Sequence, residues 1–422
     1  MESRTQPSSL KALLLTREYP PDVYGGAGVH VDYLARELAR RIRVEVRTFG
    51  TQEIQSGNLV VHGHRSAQAG AGDVPDRFLP ALQALRVCLS FNARRIDADL
   101  VHCHTWYSHF GGLLARMLYG IPLVITAHSL EPLRPWKREQ LGSGADLSTW
   151  IERTALEAAD AIVAVSQQMR DDILRLFNVA PQKVTVIHNG IDTEEYRRVR
   201  SRERLDRLGI GPHRPYVLFV GRISRQKGIL HLIHAIPHLD SGAQVVLCAS
   251  APDTVEIAKE VEEAVERVGG QQPGRVVWIR EMVDRSTAIE LYSHAAVFCC
   301  PSIYEPFGII NLEAMACETP VVASAVGGIR EVVVPGETGY LVPLAQQAES
   351  PFEPVNPDQF SRDLAHHLNL LLADESLRKQ MGAKGRRRAE TRFSWRAIAN
   401  QVLALYASLV PQKTQVSDIA AV

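Results

Sequence analysis

Apolar residues along this chain gather in short runs rich in Val, Ile and Leu, separated by longer stretches in which apolar positions recur at helical spacing. Seven runs reach as far as Asn189: KALLLT, IRVEVRTF, LVVHGH, DLVHCH, PLVITA, AIVAVS and KVTVIHNG. Six more follow: YVLFVG, AQVVLCAS, RVVWIR, AVFCCP, PVVAS and TGYLVP. Strands of this kind alternating with amphipathic helices build parallel sheets covered on both faces. Two series predict an α/β fold of two doubly wound, Rossmann-like domains. A chain of 422 residues agrees with this, since its length alone predicts about two to three domains.

The stretch NGIDTEEYRRVRSRERLDRLGIGPHRP divides the two series and holds seven arginines from Arg197 to Arg214. A nucleic-acid patch is one reading of it. Asp192, Glu194, Glu195, Glu203 and Asp206 interleave the arginines, however, and predict a solvated linker helix instead. Further on, AQQAESPFEPVNPDQ reads as a loop before a helix starting near Pro357, and FSWRAIANQVLALYASLV as a terminal helix that Ser394 could cap.

Composition narrows the function classes. Lys plus Arg and Asp plus Glu number 47 each, so no global field draws the chain to nucleic acid or anionic lipid, and charge must act locally. The six cysteines, Cys88, Cys103, Cys248, Cys299, Cys300 and Cys317, show no C-x-x-C spacing; several lie in apolar runs, as reduced, buried thiols do. No apolar stretch is long enough for a membrane span, and MESRTQPSSLK lacks the apolar region of a secretion signal. The expectation is a cytoplasmic enzyme with no nucleic-acid or membrane partner and a loose tail over residues 1–9.

Open α/β sheets bind ligands beyond the carboxyl ends of their strands, so the crevice between the two domains is the expected site. After the first run, TREYPPDVYGGAGVHVDYLARELARR places glycines before a helix with Val31, Leu34 and Leu38 on one face. Gly25, Gly26 and Gly28 do not form G-x-G-x-x-G, and a tight turn explains them as well as a phosphate contact at a helix start does. YVLFVGRISRQKG sets Arg222 and Lys227 beyond an apolar strand with no acidic residue between them, which suits a diphosphate or merely a solvated basic loop.

AVFCCPS reads as a buried strand and FGIINLEAMACE as a helix, so Glu305 and Glu313 can both face the crevice. A carboxylate inside IINLEAMA needs a partner, and a ribose diol would serve. PVVASAVGGIREVV repeats strand, glycine turn and helix start, adding N–H donors to the same rim. His128, at the end of PLVITA, is either a satisfied core histidine or a ligand contact. His102 and His104 alternate on one strand as zinc ligands would, but no third ligand follows at a metal-like spacing, and no metal is expected. Trp106 lines the acceptor side or simply packs.

The pair E-P-F-G-x-x-x-x-E at Glu305 and Glu313 and G-R-x-x-x-x-K at Arg222 and Lys227 resemble the retaining GT-B glycosyltransferases of the glycogen synthase-like group, family 4 type. The match extends over almost the whole chain. REYPPDVYGGAGVH, HCHTWYS, TAHSLEPLRPWKREQLG and VIHNGID look most like the actinobacterial-type glycogen synthases and maltose-1-phosphate synthases, which use ADP-glucose. Where larger glycogen synthases carry a lysine two residues before the Gly-Gly, this chain has Val23.

The resemblance implies a GT-B fold. Residues 10–200 with 393–422 would form an acceptor-side domain, to which the final helix crosses back, and 210–392 a nucleotide-sugar domain. Arg222 and Lys227 would hold the leaving diphosphate and Glu313 the ribose. Glu305 would sit beside the transferred glucose, with backbone N–H groups around Phe307, Gly308 and Ile309 on its hydroxyls. His128 would touch the sugar, and Gly25 and Gly26 would close over the phosphates. No nucleophile with its own base is evident, so front-face transfer is expected, with no cofactor beyond the donor. The acceptor is an α-1,4-glucan end or glucose 1-phosphate. A nucleotide-sugar 2-epimerase and a silent glucan-binding relative are the rivals, and a homo-oligomer is left open.

Overall fold

The computed structural model describes residues 10–23, 25–65, 78–136, 142, 144–240, 242–348 and 352–410. The tail expected over 1–9 and part of the expected loop before Pro357 lie outside them. Each of the thirteen apolar runs contains a strand, and a fourteenth strand joins them.

The first sheet comprises β1 (Lys11–Thr16), β2 (Arg43–Phe49), β3 (Glu53–Ser56), β4 (Leu59–His64), β5 (Leu100–His104), β6 (Leu123–Ala127), β7 (Ala161–Ala164) and β8 (Val184–Val186), in the order 3-4-2-1-5-6-7-8. Only the edge strand β3 runs antiparallel to its neighbour. The second sheet comprises β9 (Tyr216–Arg222), β10 (Gln244–Ser250), β11 (Val276–Ile279), β12 (Val297–Cys300), β13 (Val321–Ser324) and β14 (Gly339–Val342), in the order 11-10-9-12-13-14 and parallel throughout. Central strands are buried on both faces, as Leu13, Leu14 and Leu15 are in β1 and Val217 and Leu218 in β9, which is why they read as unbroken apolar runs.

In each sheet the strand order reverses beside the first strand of its series, between β1 and β5 and between β9 and β12. Connections leave these pairs in opposite directions, so a crevice opens at their carboxyl ends. Both crevices contribute to one cleft.

The terminal helix Trp395–Leu409 returns to the first half. It packs on helix Gly26–Ala39, Trp395 stacking on Tyr33 with ring centroids 5.6 Å apart and an interplanar angle of 8°, and the Tyr406 hydroxyl bonds His102 Nδ1 at 2.7 Å. Ser394 occupies the capping position, but its hydroxyl makes no capping bond. Where the chain first leaves the first half, Ile191 N donates to Phe393 O at 2.7 Å, so the two crossings lie side by side. A Cβ on Gly190 would come within 2.6 Å of the Trp395 ring, and only glycine permits that approach.

The arginine-rich connection docks rather than standing free in solvent. Its short helix Glu203–Arg207 buries Leu205 completely, Arg204 pairs with the buried Glu290 at 3.0 Å, and Val199 N already bonds Ser293 Oγ. The six cysteines are free and buried.

Candidate active site

The cleft between the halves has a volume of about 1290 Å³, counting space open to solvent. Its walls come from the carboxyl ends of β1, β5 and β6 on one side and of β9 and β12 on the other. Among the expected residues, Gly25, Gly26, His128, Arg222, Lys227, Glu305, Phe307, Gly308 and Ile309 all line it. Glu313 does not.

Lys227 closes the tight turn Arg225–Lys227 after β9, where Ser224 Oγ accepts from the Lys227 N–H. The next residue, Gly228, has φ +63°, and a Cβ there would overlap the Pro301 carbonyl, so this turn is clamped against the end of β12. The result is an ion pair across the cleft floor: Lys227 Nζ lies 2.6 Å from Glu305 Oε2, which also accepts from Ser302 Oγ at 3.1 Å. Arg222 is paired as well, with Asp253. Asp253 follows β10 and so is remote in sequence from G-R-x-x-x-x-K, which carries no acidic residue. Each of the two cations is thus charge-compensated by a carboxylate of its own.

Glu313 lies on helix Ile309–Ala316, only 9% exposed, and has partners inside the protein. Tyr292 donates its hydroxyl to Glu313 Oε2 at 2.9 Å, and Tyr196 also hydrogen-bonds to it. Burial raises its carboxyl above the ordinary range, against the pull of those two hydroxyls. A ribose is therefore not required to satisfy it.

The Gly327–Gly328 pair has a different task from the N–H donors expected at the rim. Gly328 N already donates to Glu305 O at 3.1 Å. Gly327 has φ +49°, and a Cβ would overlap the Glu305 carbonyl oxygen and lie 2.9 Å from its carbon. The doublet lets one loop press on the main chain that presents Glu305. After it, Glu331 bridges the halves: Oε1 accepts from Gln167 N and Oε2 meets His188 Nε2, both at 2.8 Å.

On the first-half wall, helix Gly26–Ala39 begins at the cleft, and Gly25 N donates to Glu18 Oε2 at 2.7 Å. Burial, reinforced by neighbouring imidazoles, holds His128 well below the usual histidine range, and the same holds for His104. His128 Nε2 and His104 Nδ1 are 3.1 Å apart. His102 is occupied on both nitrogens, by Tyr406 and Thr126, and cannot pair with His104 as a ligand. Trp106 lines the cleft from the first-half wall and is only 3% exposed.

A profile described as Glycosyltransferase Family 4 matches residues 24–195, and one described as Glycosyl transferases group 1 matches residues 201–388. The chain is 45% identical over 405 residues to alpha-maltose-1-phosphate synthase of Mycolicibacterium smegmatis, covering 94% of this chain and 99% of that one. It belongs to the family 4 glycosyltransferases. Another family relative, D-inositol 3-phosphate glycosyltransferase of Corynebacterium glutamicum, is 31% identical over 409 residues, or 90% of this chain and 91% of that one. Among solved structures, sucrose-phosphate synthase from Thermosynechococcus elongatus superposes with a TM-score of 0.77 at 26% identity, covering 95% of this chain and 99% of that one. The two-sheet architecture is therefore the GT-B fold, and the protein is a glycosyltransferase. No helix among its described residues is long and apolar enough to cross a membrane.

Sequence reasoning missed several cleft residues of this glycosyltransferase. Arg17 follows β1 and lies over the Tyr107 ring at 4.1 Å, and Arg134 follows the turn Glu131–Leu133, its Nη1 3.4 Å from Glu131 Oε1 and its Nε buried and unpartnered. The signal for Arg17 was its place one residue beyond an apolar strand. Thr105 lines the cleft with φ +66°, a strained conformation that no local motif announces.

Proposed function

We propose that this glycosyltransferase moves glucose from ADP-glucose to glucose 1-phosphate, with retention of the α-configuration, giving maltose 1-phosphate. The observation that carries the reading is the placing of cations on both walls of one cleft: Arg222 and Lys227 on the second half, Arg17 and Arg134 on the first. A donor diphosphate needs one pair, and a phosphorylated acceptor gives the other a purpose that a neutral glucan end does not. The name of the 45%-identical relative supports the same acceptor.

In this reading Lys227 exchanges Glu305 for the β-phosphate, and Arg222 turns to the same group. Glu305, freed, and the N–H groups around Phe307, Gly308 and Ile309 take the glucose hydroxyls, while Glu313 reaches the ribose only by giving up Tyr292 or Tyr196. The bond from the anomeric carbon to the phosphate oxygen breaks, leaving charge that the two cations stabilise. The acceptor 4-hydroxyl oxygen then bonds that carbon from the same face, and its proton passes to the departing phosphate oxygen. Positioning and charge stabilisation supply the rate, a single donor to such an anion contributing about 3 kcal/mol. His128 orients the sugar on the opposite wall.

The test supplies ADP-glucose with glucose 1-phosphate, with glycogen, or with no acceptor, and identifies products by mass and anomeric proton coupling. A disaccharide phosphate with an α-linkage in the first tube supports the reading. Transfer to glycogen alone overturns the acceptor, a β-linkage overturns retention, and an isomerised free sugar without acceptor identifies an epimerase. A parallel tube with UDP-glucose reads the base preference.

A further inference from the structure

Three imidazoles from distant parts of the chain meet behind the first-half wall of the cleft, and the transfer reaction uses only one of them. His30 comes from helix Gly26–Ala39, His104 ends β5 and His128 follows β6. One ring nitrogen of each lies within 4.8 Å of one from each of the other two. The ring centroids are 4.7 to 5.3 Å apart. His30 and His104 are 2% and 0% exposed, and Nε2 of each is buried with no hydrogen-bond partner.

Buried polar atoms normally find partners, yet His30 Nε2 and His104 Nε2 have none, while His104 Nδ1 lies 3.1 Å from His128 Nε2, a spacing close to that of two nitrogens on one ion. The tautomer favours a metal. His30 Nδ1 lies 2.7 Å from Asn189 Oδ1, and a proton donated there leaves Nε2 with a bare lone pair. Histidine ligands are commonly oriented in this way, through an acceptor on the far nitrogen. A tetrahedral ion with bonds of about 2.0–2.1 Å to nitrogen wants ligand atoms roughly 3.4 Å apart, which ring rotation can reach from the observed spacing.

We propose that His30, His104 and His128 form a binding site for a divalent transition-metal ion, with Zn²⁺ the best fit, reached from the cleft past His128, which lines it. An all-imidazole set suits Zn²⁺ and its neighbours and disfavours Mg²⁺ and Ca²⁺, which prefer oxygen ligands. The functional consequence rests on the reading given above for His128: an ion that recruits this ring withdraws it from the sugar, so the metal inhibits transfer.

Titrating the full-length, chelator-stripped protein with Co²⁺ and following visible absorption reads the site directly, with Zn²⁺ calorimetry giving stoichiometry. One ion per chain with a low-symmetry, four-coordinate Co²⁺ spectrum is expected, and His30→Gln or His104→Gln should weaken binding at least tenfold. If those buried variants melt early, His128→Asn, at the cleft edge, reads the same loss. Absence of stoichiometric binding in the wild type, or unchanged binding in the folded variants, overturns the site. Turnover with and without Zn²⁺ is a separate readout: stoichiometric binding without inhibition leaves the site standing and removes the role given to His128.

Discussion

Gly327→Ala isolates the mechanical support of Glu305 from its chemistry. A side chain at φ +49° carries the left-handed cost of roughly 1–2 kcal/mol. Gly336, at φ +75° with nothing within 4 Å of an added Cβ, carries that cost alone and serves as the control. At Gly327 the new Cβ also overlaps the Glu305 carbonyl oxygen, a main-chain atom that cannot rotate away. Overpacking of this kind adds about 1–3 kcal/mol. What yields is the backbone carrying the carboxylate that Lys227 meets at 2.6 Å and Ser302 at 3.1 Å. A displacement of ~1 Å at a reacting centre costs roughly 10²-fold in rate. Thermal melting and saturating nucleoside-diphosphate release should therefore separate the two variants. Gly336→Ala should melt a few degrees early, at about 2–4 °C per kcal/mol for a unit of this size, with kcat unchanged. Gly327→Ala should melt earlier still and turn over about 10²-fold more slowly. Equal kcat in both variants would refute the support assigned to Gly327.

Arg222→Ala should lower kcat by roughly 10²–10³ with a much smaller effect on melting, although Asp253 loses its partner; near-normal transfer would remove its assignment to the diphosphate. Glu152 is held well above the ordinary carboxyl range by burial and then by the charge of Glu131. Its folded-state value exceeds the unfolded one, so the unfolded chain releases its proton first and stability falls as pH rises between the two values. Glu152→Gln should flatten that fall in melting temperature from pH 5 upward, and parallel pH profiles for the two proteins would contradict it. Glu331→Ala strips Gln167 N–H and His188 of their shared acceptor and should cost about 1–2 kcal/mol in denaturant unfolding.

Strands buried on both faces announce themselves as continuous apolar runs, so both sheets were legible before any geometry. The strand β3 was not, because EIQS is exposed at every position and carries no burial signal. The cleft followed from the open sheets, and Arg222, Lys227 and Glu305 do line it, but the burial of Glu313 away from it and the partner of each charge did not follow. Asp253 and Tyr292 reach these groups from other strands and helices, at sequence distances no local pattern encodes. The third histidine was hidden for the same reason: His30 sits 74 residues before His104 on a helix whose buried face otherwise reads as ordinary packing. Gly327 and Gly328 carry a packing role that no motif announces, a turn pressed against the main chain of Glu305.

The bond from Ile191 to Phe393 sets how the two lobes can swing. One connecting strand would be a tether, free to twist and slide; two fastened edge to edge behave as a door on its pins, with a single axis of rotation. Each opening that lets product out then turns about that axis, and the bridge from Glu331 to Gln167 and His188 has to break and re-form with it.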